Sequence, residues 1–368
     1  MLYIKVSMNI WLSHSIKSIF GLFAIFLFGQ SLLFGGFWGF DGTRLSYEGD
    51  VWKRKLPDFT EASYAHAVES MITDFESVTG KKLIPGVHGK VALKIYTNSF
   101  QGLGTPQNLV RAVIDSLMAR GYKRHNIILV DYREDLLREN GFLPALSQRD
   151  PVDNFEGSPV CILGKDVYWD KEWFHDDPLP VPLSQTYAHM SQTSANMQDV
   201  DLDEQRKSYL PVVLFNEVDF FINLPMYSDD QAMGINGALA NPTLWAVSNH
   251  ERFMRSTKNA PPAIAEIGAI PELMSNWAFT IATLERYQYI GGPVFNSLYS
   301  ASEPVLYLSS NPVILDQLVL DKLNKRRLKD GFKELSNPLP VLIYATQLGL
   351  GMHSPSRIHW HEETSSNE

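Results

Sequence analysis

Apolar positions recur with helical period over residues 62–75, where Ala62, Ala65, Val68, Met71, Ile72 and Phe75 share one face, which predicts a helix opened at Thr60 and stopped at Gly80. The period then changes. Lys90-Val-Ala-Leu-Lys-Ile-Tyr reads as a strand, residues 97–106 as a loop containing Gly102 and Gly104, and Pro106 to Arg120 as a helix with Leu109, Val110, Val113, Ile114 and Leu117 on one stripe. Thr105 is expected to cap that helix, with Pro106 at its first position and Gly121 past its end. Asn126-Ile-Ile-Leu-Val-Asp gives a second strand, apolar enough to be covered on both faces as parallel strands are. Strand, helix and strand make a βαβ unit whose crossover should be right-handed.

The stretch around which the chain is organised runs from Pro211 to Trp245, PVVLFNEVDFFINLPMYSDDQAMGINGALANPTLW. It begins as a buried strand, breaks at Pro225, and is expected to continue as a polar loop of Ser228, Asp229, Asp230, Asn236 and Asn241 spaced by Gly234 and Gly237. A strand whose carboxyl end opens into such a loop is where open α/β sheets hold ligands. Helix and buried strand alternate from Ile264 to Tyr287, Gly291-Gly-Pro turns, residues 304–310 form a strand, and Asn311-Pro312 opens a helix over Val313 to Asn324. The pattern predicts an α/β fold: a three-layer, mostly parallel sheet with helices on both faces. One principal domain should cover 41–368, with an insertion at about 144–209 that holds a short strand near Cys161 and a stiff Pro-rich strap after Asp176.

The first 40 residues have another character. Lys5 and Lys17, with no acidic residue, precede an apolar run from Ile19 to Phe40 broken only by Gln30 and Ser31. This is the layout of a secretory signal, and the 22-residue run would also span a bilayer if left uncut. An exported chain, periplasmic or anchored to the membrane by this segment, is the expectation. The net charge of −9 and the lack of any long Lys/Arg run make non-specific nucleic-acid binding a poor fit. The single cysteine, Cys161, excludes an intramolecular disulfide and speaks against an iron–sulfur cluster; it reads as a small buried hydrophobe.

Candidate chemistry gathers at predicted strand ends. Asp131 closes the second strand with Arg133 in the next turn, and both are expected to point into the same cleft as Lys94 of the first. The loop QGLGTP precedes a helix N-terminus but matches no nucleotide fingerprint. His250 is a candidate base or a hydrogen-bonded structural group, and Asp316 sits in the first turn of a helix, where it either binds a ligand or complements the helix N-terminus. No metal site is expected.

Several segments resemble the DUF362 domain, a domain named for having no assigned activity. VALKIYTNSFQGLGTPQNLVRAVIDSLMARGYKRHNIILVDYREDLLRENGF is similar to its first half, where a strand carries a lysine and an asparagine, matched here by Lys94 and Asn98. VDFFINLP, with Asn223, resembles its Ile-Asn-x-Pro strand end; NGALANPTLW, with Asn236 and Asn241, resembles its Gly-Ala-Leu-Lys-Asn segment; YIGGP, LYLSSNPVILD and ATQLGLG resemble later motifs, in the same order from Gly86 to Gly351. The chain departs from that pattern where Pro-x-x-Lys-x-His is replaced by Pro225-Met-Tyr-Ser-Asp-Asp-Gln, at Ala240 in place of lysine, and at Asn311 and Ala282 in place of aspartates. The resemblance implies either a ligand of different charge or a binding role kept without a catalytic one.

These readings place Lys94, Asn98, Asp131, Arg133, Asn223, Asp229, Asn236, Asn241 and Asp316 around one cleft. One hypothesis is an enzyme acting on a small polar or anionic metabolite, with Asp229 or Asp131 as general base and Lys94 or Arg133 holding an anionic group. The alternative is a non-catalytic periplasmic or membrane-tethered ligand-binding or scaffold protein. A divalent cation between Asp229, Asp230 and Asp316 would favour the enzyme.

Overall fold

The computed structural model describes residues 49–145, 153–165, 169–176 and 206–363. The apolar N-terminal run and most of the Pro-rich strap lie outside the described residues. In chain order the strands are β1 (Asp50–Lys55), β2 (Val91–Lys94), β3 (Ile127–Asp131), β4 (Asn154–Phe155), β5 (Ser158–Ile162), β6 (Trp169–Asp176), β7 (Lys207–Pro211), β8 (Phe220–Asn223), β9 (Tyr227–Asp230) and β10 (Gly234–Asn236). β11 (Trp277–Thr283), β12 (Tyr287–Gln288), β13 (Ser300–Ala301), β14 (Val305–Ser309) and β15 (His359–Glu362) follow. The helices are α1 (Glu61–Thr79), α2 (Gln107–Ala119), α3 (Glu134–Glu139), α4 (Ala260–Gly268), α5 (Pro271–Asn276), α6 (Pro312–Lys329) and α7 (Pro340–Gln347).

Nine strands form the central sheet in the order β15-β1-β14-β11-β8-β2-β3-β5-β4. The run β11-β8-β2-β3-β5 is parallel throughout. β14 is antiparallel to β11 and to β1, β15 is parallel to β1, and β4 turns back on β5. The chain is therefore α/β with a large, mostly parallel sheet. β9, β10, β12 and β13 make a smaller sheet, and β6 pairs with β7.

Side-chain alternation along the central strands builds two cores, one on each face. Val91, Leu93, Leu129 and Ile222 point to the side covered by Val68, Met71 and Phe75 of α1 and by Leu109, Val113 and Leu117 of α2. Ala92, Val130, Phe221 and Tyr307 point to the other, against Ile264 and Ile267 of α4, Val319 and Leu323 of α6 and Leu342 of α7. Full burial of one such aliphatic side chain contributes roughly 1.5–3 kcal/mol, so helices settle on both faces because both are apolar.

Local signals behave in part as the sequence foretells. Thr60 accepts from the Ser63 N–H at 3.4 Å, and Gly80, at φ 71°, ends α1 in the left-handed conformation that favours glycine. Thr105 does not cap α2, whose N-cap is Pro106. Its hydroxyl instead accepts from Tyr96 N–H (2.8 Å) and donates to the Leu224 carbonyl (2.7 Å), tying the end of β2 to the end of β8. Asn311 caps α6 by accepting from Val313 and Ile314 N–H, and the helix runs to Lys329, beyond the expected Asn324.

Three departures have physical reasons. Residues 227–236 are not an open polar loop but the β9–β10 hairpin, because Asp230 and Asn236 bind nearby backbone and Tyr227, Ser228, Ile235 and Asn236 are buried. Ser158–Ile162, expected within an insertion, is β5 of the central sheet, paired with β3. β1 is a strand the pattern hides, because Arg54 on it is 2% exposed and is neutralised from outside the strand by Asp74 and hydrogen-bonded to Ser70 and the His361 carbonyl.

Candidate functional site

Three neighbouring parallel strands end in polar residues: β8 in Asn223, β2 in Lys94 and β3 in Asp131. In register Lys94 lies opposite Asn223 on one side and Val130 on the other, and at the carboxyl ends of the strands its ammonium reaches the Asp131 carboxylate one residue on and, through Asn241, the Asn223 amide. The Lys94 ammonium is fully buried and donates to Asp131 Oδ1 (2.9 Å), Asn241 Oδ1 (2.9 Å) and the Ile95 carbonyl (2.7 Å). Three acceptors take the three protons of an ammonium. Burial pulls the Lys94 pKa down, and Asp131 pulls against it. Asp131, also buried, accepts on its second oxygen from the Thr97 hydroxyl at 2.7 Å.

The network continues away from Asp131. Asn241 donates to Asn223 Oδ1 (2.8 Å) and to the Lys94 carbonyl (3.1 Å), and Asn223 donates to the Ala238 carbonyl (2.8 Å) and Thr280 Oγ1 (3.1 Å). Asp316 enters from α6, and its carboxylate accepts from Ala238 N–H (2.6 Å) and Leu239 N–H (3.0 Å). Burial raises the Asp316 pKa to about 7, with the Ala238 and Leu239 N–H groups and Tyr227 opposing the shift. Gly237 permits this approach, since a Cβ there would lie 2.5 Å from Asp316 Oδ1. Asn236 accepts from the Trp245 indole N–H at 2.7 Å and donates to the Met226 carbonyl at 3.3 Å.

His250 lies within electrostatic range of Lys94. Its ring is held edge-to-face by Tyr132 (4.8 Å between centroids) and Trp245 (5.4 Å), and Trp169 lies beyond Tyr132. Burial lowers the His250 pKa and the Lys94 charge adds to the effect, against the Val247 carbonyl and Glu251. Its Nδ1 faces that carbonyl at 3.3 Å.

Lys94, Asp131, Asn223, Asn241 and Asp316 thus form one network, with Asn236 beside it and His250 close by. The other candidates stand apart. Asp229 accepts from Gly291 N–H (3.1 Å), Gly292 N–H (2.8 Å) and Arg327 (3.1 Å), so it pins the 291–293 turn rather than joining Lys94. Arg133 is 46% exposed and paired with Asp135, with its guanidinium over Phe100. Asn98 is half-buried, and its amide nitrogen has no hydrogen-bond partner among the described residues. Asp230 accepts from Ala232 and Met233 N–H, so Asp229, Asp230 and Asp316 serve three separate backbone sites. Among the described residues no group of three or more His, Cys, Asp or Glu is placed to hold a metal ion.

Thr97, Thr280 and the aromatic rim of Tyr132, Trp169 and Trp245 belong to the site and were not singled out in the sequence. Thr97 lies three residues past the end of β2 and Tyr132 directly after β3, which was the available signal. The rim assembles from separate parts of the chain, and no local pattern marks it.

No family model matches the chain, and no curated protein matches it. Two solved chains do. One, a crystal structure of a Thermotoga maritima protein from a structural genomics consortium, is 12% identical with a TM-score of 0.34, over 64% of this chain and 53% of that one. The chain thus spans about half the length of that neighbour.

Proposed function

We propose that the protein is an exported, DUF362-like protein that binds a small polar or anionic metabolite at the carboxyl ends of β2, β3 and β8. The observation that carries this reading is the buried Lys94–Asp131 pair at adjoining strand ends, with an imidazole in an aromatic setting within electrostatic range. Such strand ends are where open α/β sheets place ligands. The apolar run at Ile19 to Phe40 supports export or anchoring, and the motif order from Gly86 to Gly351 supports the DUF362 likeness.

The roles follow from proton accounting. All three Lys94 protons are committed, so Lys94 acts as a fixed positive charge and not as a nucleophile. His250 has its pKa lowered, is neutral at pH 7, and keeps Nε2 for a ligand; it is the group fitted to move a proton. Arg133, outside the Lys94 network and paired with Asp135, lies within electrostatic range of Glu251 next to His250, and supplies a guanidinium for an anionic group reaching out from the strand ends. The completeness of the Lys94 network is also what a binding or scaffold protein without turnover would carry.

The test is thermal shift of the chain against sugar acids, phosphorylated sugars, amino acids and divalent cations, with His250→Gln and Arg133→Ala alongside. A ligand at a hundred times its Kd should add about 2.7 kcal/mol. The proposal expects a hit weakened by one or both substitutions; no hit, or one indifferent to both, overturns it. Turnover of the hit abolished by His250→Gln would make the protein an enzyme, and binding without turnover would make it a receptor. Recovery of the expressed chain wholly in the cytosol would overturn export.

A further inference from the structure

The asparagines between Lys94 and Asp316 are arranged in series. The Lys94 ammonium donates to the Asn241 carbonyl oxygen, whose amide nitrogen donates to the Asn223 carbonyl oxygen, whose nitrogen in turn donates to the Ala238 carbonyl. That carbonyl belongs to the peptide unit whose N–H, on Leu239, donates to Asp316 Oδ2 at 3.0 Å. Three amides therefore lie head to tail, each with its oxygen toward the cation and its N–H toward the carboxylate.

We propose that Asp316 is a positioning residue for Lys94, acting through this polarised series of three amides. Hydrogen bonds in such a chain strengthen one another, because each acceptor that is polarised becomes a better donor at its far end. Orientation is fixed from both ends. Turning the Asn241 amide over would set its NH2 against the ammonium, and turning Asn223 would set two NH2 groups face to face. A carboxylate at the Leu239 end keeps the peptide N–H pointing away from Lys94 and so keeps an oxygen on the ammonium. Every member except Asp316, which is 1% exposed, is fully enclosed or backbone, so water does not screen the series. The ionisable groups at its two ends are Asp131 and His250 beside Lys94 and Tyr227 beside Asp316.

This inference rests on Lys94 being the fixed charge of the proposed site, yet it is read without any ligand, so it fails or stands separately from ligand binding. The experiment is NMR titration of the chain labelled at lysine Cε, with the Lys94 signal identified by its loss in Lys94→Arg. Asp316→Asn should lower the Lys94 titration midpoint by about half a pH unit or more, a roughly threefold loss of proton affinity. The same substitution made in Asn223→Leu, which cuts the series, should have no such effect. An unchanged midpoint in Asp316→Asn, or an equal change in the cut background, overturns the proposal. Should Asp316→Asn not fold, His250→Gln is followed from pH 5 to 8. The Lys94 signal should then step together with the Asp316 carboxyl signal, and a flat response overturns it equally.

Discussion

At the scale of single residues, the buried pair of Lys94 and Asp131 is held by mutual need. Removing one partner of a buried pair costs about 3–5 kcal/mol, chiefly because the other charge is left uncompensated. Lys94→Met should lose stability of that order in urea unfolding. Adding Asp131→Leu should restore a large part of it, since a paired replacement by apolar groups leaves no orphan charge. If the double variant is as unstable as the single one, the loss comes from packing and not from charge.

Two buried groups at the site give opposite dependences on pH. The His250 pKa is lower in the folded chain than its unfolded value near 6.5, so below that pH the unfolded chain takes up the proton first and stability is lost as pH falls. Asp316 is raised from 3.8 to about 7, so the folded chain holds the extra proton between these values. Its contribution is fully present below pH 3.8 and is lost as pH rises through about 7. His250→Gln should flatten the decline on the acid side of 6.5, and Asp316→Asn should remove the decline between pH 4 and 7, both read from urea midpoints across that range. Profiles parallel to the parent's would show that neither group titrates with folding.

At the scale of elements, what was legible in the sequence follows from period and position. β2, α2 and β3 were readable because an amphipathic helix lies between two apolar runs, Asp131 and Asn223 because they close such runs, and Lys94 because it is a charge set within one. Asp229 and Asp316 look alike in a sequence, each an acid in a segment with turn residues, and only tertiary geometry separates one that pins Gly291 and Gly292 from one that meets the Asn223–Asn241 network. Arg133 shares its neighbourhood with Asp131, but the turn after β3 sends it outward to Asp135. β1 and β15 were hidden for a different reason. Their polar residues are matched across elements, with Lys53 on Glu362 and His361 on Asp50 at 2.6 Å while its ring stacks on Trp52, so neither strand shows a clean alternation alone. β15 thereby covers the edge of β1. A chain truncated after Ser354 should expose that edge, lowering the thermal midpoint and bringing concentration-dependent self-association in size-exclusion chromatography. A truncated chain that stays monomeric at high concentration would mean that β15 shields nothing.

At the scale of the whole molecule, one sheet serves both cores and its central strands carry the polar network at their carboxyl ends. Asn223 and Phe221 lie on the same face of β8 and Lys94 and Ala92 on the same face of β2, so the network continues the core surface that α4, α6 and α7 cover. Distortion at the strand ends is therefore felt by the packing beneath them, and the packing holds the strand ends in place.

The neighbouring position of β1 and β15 has a consequence for connectivity. His359 N–H donates to the Gly49 carbonyl at 2.8 Å, so the first and last described strands start side by side and run the same way. A linker from Glu363 back to Gly49 has little more than the length of one short strand to cover, about 13 Å for four residues. The chain order is thus open to rearrangement: a circular permutant joined there and opened at the exposed turn of Gly331, between α6 and α7, should keep the native far-ultraviolet and near-ultraviolet circular dichroism.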